Sequence, residues 1–99
     1  MKHLHVSGRR WFTRNSGNTY HTAQTLMDGE RGPAVPFSYG YGDHYLTTAA
    51  EALESAGHLI GREHHANGSA EPLWLYCERN GIKFTYEVND VSRRSDLGG

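Results

Sequence analysis

Ile82, Phe84, Tyr86 and Val88 alternate strictly with Lys83, Thr85, Glu87 and Asn89. Successive side chains of a strand point to opposite faces, so this run reads as a half-buried strand. A strand needs a sheet, and 99 residues can build only one small core. The partner strands and the cover for the buried face must therefore come from the same short chain.

Three earlier segments supply strands. Leu4 and Val6 alternate with His3, His5 and Ser7, and Gly8 ends, bulges or continues that strand. Thr19–Met27 is rich in β-branched and aromatic residues, with Tyr20, Thr22, Gln24 and Leu26 on one face and His21, Ala23, Thr25 and Met27 on the other. Val35, Phe37, Tyr39 and Tyr41 form a third alternation, and Pro36 places it at a sheet edge. Asn15–Asn18 and Asp28-Gly29 are turns by their chemistry, the second leading into a loop through Gly32-Pro33.

Two helices complete the pattern. Asp43 stands as an N-cap before Leu46, Ala49, Ala50 and Leu53, a helical stripe that Gly57 ends. Ser69 caps a second helix with Pro72 in its first turn and Ala70, Leu73, Trp74 and Cys77 inward, ended by Gly81. The order β-β-β-α-α-β predicts a single small α+β domain over residues 1–92. Its sheet is mostly antiparallel, with both helices on one face and the last strand in the sheet, at its centre or at an edge. Residues 93–99 read as a flexible tail.

The chain is 36% hydrophobic, but two Trp, six Tyr and three Phe can still bury large areas. A single cysteine, Cys77, precludes an internal disulfide. MKHLHVSGRR lacks the apolar core of a signal peptide, and no run approaches the ~20 apolar residues of a membrane span, so the expected address is the cytoplasm. Charge is uneven. Residues 1–27 carry +4 with no acid, residues 28–78 carry −6, and residues 79–99 carry +1. That distribution favours a two-faced surface over a uniform field.

The strings SGRRWFTRNSGNTYHT, VPFSYGYGDHYLTTA, EPLWLYCERNGI and DVSRRSDL cover most of the chain. On them the sequence resembles a family of short proteins encoded by bacteriophages and prophages. The resemblance implies an accessory protein of a phage or mobile element and transfers no catalytic residues. By analogy, small phage proteins often inhibit a host machine, anti-CRISPR and other anti-defence proteins among them.

Candidate chemistry concentrates at Arg9, Arg10, Trp11, Phe12 and Arg14. The arginines can meet phosphates while an aromatic ring stacks on a base, or the rings can be core and the arginines solvated. Trp11 and Phe12 are adjacent, so a regular strand can bury only one of them. Tyr39, Tyr41 and Tyr45 beside flexible glycines match the composition of adaptable binding surfaces, or simply a strand end entering a helix. Seven histidines are many for this length. His58, His64, His65 and Cys77 could hold zinc only by converging in three dimensions, since none of the usual ligand spacings occurs. Cys77 as a nucleophile would have to leave the apolar stripe.

The expected function is therefore non-catalytic and cofactor-free. The leading reading is a binder, and inhibitor, of a bacterial host protein or ribonucleoprotein. The alternatives are nucleic-acid binding through the basic N-terminal hairpin and a zinc-stabilised binding domain.

Overall fold

The computed structural model describes residues 1–98. Its elements are β1 (His3–Thr13), β2 (Asn18–Met27), β3 (Glu30–Tyr39), α1 (His44–Ser55), α2 (Leu73–Arg79), β4 (Lys83–Val91) and a final 3-10 turn (Arg94–Leu97). The four strands form one sheet in the order β3-β2-β1-β4, antiparallel except for the parallel β1–β4 pair. This is the expected small α+β domain, with two helices beside a mostly antiparallel sheet. Among the described residues no helix is long and apolar enough to cross a membrane.

Alternation decides which side of the sheet is covered. Leu4, Val6, Ala23, Thr25 and Val35 are buried, together with Tyr45, Ala49, Ala50 and Leu53 of α1 and Leu73, Tyr76 and Cys77 of α2. Each fully buried aliphatic side chain contributes about 1.5–3 kcal/mol. Gly8 continues β1 inward and lies directly against the Tyr45 ring. The opposite side chains of β1 and β2, from His5 and Ser7 to Trp11 and from Tyr20 to Leu26, form a face that neither α1 nor α2 covers, with the final 3-10 turn lying over Thr22 at its middle.

Several boundaries differ from the sequence reading. β3 begins at Glu30, straight after a two-residue turn in which Asp28 (φ 52°) and Gly29 (φ 83°) are both left-handed. Both positive angles suit the right-handed twist of a hairpin, so the expected loop through Gly32-Pro33 is strand instead. The Asp28 carboxylate also accepts hydrogen bonds from the Lys2 and His3 backbone N–H groups (2.8 and 2.9 Å), which holds its pKa below the usual range.

α2 starts at Leu73, and Ser69 bonds to Asn67 rather than capping it. Proline disfavours helical geometry at the residue before it, so Glu71 stays outside the helix. Its buried carboxylate turns back to a two-pronged pair with Arg79 (2.9 and 2.8 Å). That guanidinium holds the Glu71 pKa below its ordinary value. The later start also shifts the inner stripe to Leu73, Tyr76 and Cys77, leaving Trp74 58% exposed.

β4, whose place in the sheet the alternation leaves open between centre and edge, is an edge strand. The expected tail carries the 3-10 turn, and its Leu97 is buried. Gly99 of that tail lies outside the described residues.

Candidate binding face

The β1–β2 hairpin sets Trp11 opposite Tyr20, and β2–β3 pairing sets Tyr20 opposite Tyr39. Cross-strand neighbours lie within reach of aromatic rings, so a row forms across three strands. The Trp11 and Tyr20 rings stack with centroids 5.9 Å apart, Tyr20 and Phe37 stack at 4.7 Å, and Tyr39 meets Tyr20 edge-on at 5.6 Å. Arg94 places its guanidinium 4.4 Å from the Phe37 ring centre. Offset stacks and cation–π contacts of this kind suit the ring quadrupole.

The C-terminal segment fixes that arginine. Leu97 is buried and borders a hollow that Ser7, Arg9, Thr22, Gln24 and Arg31 also line. Thr22 Oγ1 donates to the Leu97 carbonyl at 2.7 Å, and Arg9 Nη1 donates to the Asp96 carbonyl at 3.3 Å. Arg9 therefore lies beside the row on the same face as Arg94, while Arg31, opposite Leu26, lies on that face farther along β3. Farther along, Lys83 lies beside His3, while His3 Nε2 and His5 Nδ1 share the Thr85 hydroxyl, each at 2.7 Å. Ser7 donates to Glu87 at 3.0 Å.

Strand geometry divides the sequence candidates. Arg9, Trp11 and Tyr39 lie on the open face. Arg10 and Phe12 point to the other side. The Arg10 guanidinium is engaged by both Asp90 carboxylate oxygens (2.8 and 3.2 Å) and the Gly42 carbonyl (3.1 Å). Phe12 is 58% exposed and, with Arg14 of the turn, borders a shallow hollow over Arg10. Tyr41 is exposed in the connection to α1. Tyr45, expected as a surface contact, is core: its ring fills the space above Gly8, where a side chain on residue 8 would clash. Neither Trp11 nor Phe12 joins the core.

The sequence reading missed Tyr20, Phe37, Arg31 and Arg94 as members of this face. The signal for Tyr20 and Phe37 was their strand phase, which also places Trp11 and Tyr39. Arg94 had none, because it lies in the segment taken as a tail.

The zinc candidates do not converge. Cys77 is fully buried, and burial pushes its thiol up to about 11, so it is a neutral thiol at ordinary pH. His64 Nε2 lies 2.7 Å from Glu54, which lowers the Glu54 pKa, while His58 and His65 are exposed in the connecting loop. Among the described residues no three His, Cys, Asp or Glu side chains are placed to hold a metal ion.

His21 is buried under α1. Its Nδ1 lies 3.1 Å from the Gly40 carbonyl and its Nε2 2.8 Å from Thr48 Oγ1. The carbonyl can only accept, so Nδ1 carries the proton and Nε2 accepts from Thr48 in the neutral ring. Burial lowers the His21 pKa.

Comparison with protein-family models, with curated proteins and with solved structures gives no match for this chain.

Proposed function

We propose that this chain is a non-catalytic binding protein whose open sheet face engages single-stranded nucleic acid, free or exposed on a bacterial ribonucleoprotein. The accessory role in a phage or mobile element comes from the sequence resemblance alone. The observation that carries the binding reading is the Trp11–Tyr20–Phe37–Tyr39 row, with Arg9 and Arg94 beside it and Arg31 farther along the same face. Every base has a π-face, and stacking on an aromatic side chain contributes about 1–3 kcal/mol per base. Flanking cations would meet the phosphates that connect stacked bases. With α1 and α2 behind the sheet, the outer edges of the stacked rings face solvent, and Tyr39, 61% exposed, is the ring of the row most available to a flexible strand.

The test is fluorescence anisotropy with labelled 12-nucleotide RNA and DNA single strands and a duplex control, repeated across salt concentrations. Single strands should bind better than duplex, affinity should fall with salt, and Tyr20→Ala should weaken binding at least tenfold, about 1.4 kcal/mol. Absent or salt-independent binding overturns the reading. Capture from bacterial lysate with and without nuclease separates the two sources of strand. A protein partner retained in stoichiometric amount after nuclease treatment would instead support a protein-binding inhibitor.

A further inference from the structure

The two sheet edges are built differently. β3 carries Pro33 and Pro36, which have no N–H to offer, and two irregularities interrupt its register with β2. Such features blunt an edge against pairing. β4 has nine residues, no proline and an unbroken register with β1.

The free side of β4 can be assigned from one hydrogen bond. The Lys83 N–H donates to the Lys2 carbonyl at 2.9 Å, so the backbone groups of Lys83 face β1. With a period of two, those of Thr85 and Glu87 do the same. The backbone groups of Phe84, Tyr86 and Val88 therefore point out of the sheet, where among the described residues no other strand pairs with them. Tyr86 is also 58% exposed, with its ring 5.4 Å from that of Phe84 on the helical side.

We propose that β4 pairs with β4 of a second copy of this chain, antiparallel about a two-fold axis through Thr85. The charges select that register. It sets Lys83 of each copy opposite Glu87 of the other, giving two opposite-charge pairs on the open face. It also sets Phe84 opposite Tyr86 twice on the helical face, where cross-strand aromatic pairs are favourable. Phe84 and Tyr86 are the residues whose backbone groups point outward, so each such pair exchanges two hydrogen bonds across the axis. A register centred on Glu87 would instead oppose two carboxylates, and one centred on Tyr86 would lose both Lys–Glu pairs. The two-fold closes the contact, producing an eight-stranded dimer without an open β4 edge.

Sedimentation equilibrium over the micromolar to millimolar range tests this independently of nucleic acid. The wild type should move from monomer to dimer. Lys83→Glu and Glu87→Lys should each weaken self-association at least tenfold, because each sets like charges opposite one another twice. Mixing the two variants should restore association, since every facing pair is again opposite in sign. Tyr86→Pro should remain folded, because the N–H it loses faces outward, yet stay monomeric. A monomeric wild type throughout the range overturns the proposal, as do variants that associate like wild type or a mixture that fails to recover.

Discussion

At Gly8 the absence of a side chain fixes the spacing between the sheet and α1. A Cβ there would lie 2.5 Å from the Tyr45 ring, whose side chain is otherwise fully enclosed. The ring has no space to withdraw into without moving α1. Gly8→Ala should therefore lose about 1–3 kcal/mol, as overpacked cores do, seen as a lower urea midpoint with little change in slope. The sequence offered three readings of Gly8, and the large residue facing it decides among them. Tyr45 was misplaced for the same reason: its partner is 37 positions away and carries no side-chain signal.

His21 makes stability depend on pH. Its folded pKa lies below the ordinary value of 6.5, mainly because burial disfavours the charged ring. The unfolded chain therefore takes up a proton more readily. The contribution is present above about pH 6.5 and is lost as pH falls below that value through the lower folded pKa, while lowered carboxylates such as Glu71 act in a more acidic range. The urea midpoint should fall between pH 7 and pH 5, and His21→Asn should flatten that decline. An unchanged slope in the variant would assign the effect elsewhere.

At the scale of elements, helix ends were legible because their chemistry is local. Gly57 and Gly81 have φ of 84° and 68°, and the residues after them close back with His58 N–H to the Leu53 carbonyl and Ile82 N–H to the Cys77 carbonyl. This is the Schellman pattern, in which glycine takes the left-handed position without a Cβ penalty. Gly81→Ala should cost about 1 kcal/mol, read as a lower thermal midpoint, because the turn must hold Ile82 against α2 before β4 begins. The start of α2 was less legible, since Ser69 and Pro72 gave competing signals and Pro72 prevailed. Strand order was not legible for β4. Its alternation reports that one face is covered and says nothing about how many strands flank it. Pro36, which removes a ladder donor, did correctly mark β3 as an edge.

Across the whole molecule, pleating separates charges that are adjacent in sequence. Arg9 and Arg10 look equivalent in the string GRRWF, yet Arg9 reaches the open face and Arg10 is held by Asp90 and Gly42 beneath it. The uneven charge of the chain thus indicated a two-faced surface, while the membership of each face required the strand register and the path of residues 93–98. If the open face binds single strands, Arg31 and Arg94 meet phosphates, and replacing either by alanine should reduce the magnitude of the log–log salt slope by about 0.7. Arg10→Ala should leave that slope unchanged, though it removes a side chain of the same charge from the same short stretch. Anisotropy titrations of the three variants at several salt concentrations distinguish a surface contact from a net-charge effect. Equal slopes for Arg10→Ala and Arg94→Ala would mean that overall charge attracts the strand, and would remove the open face as its specific site.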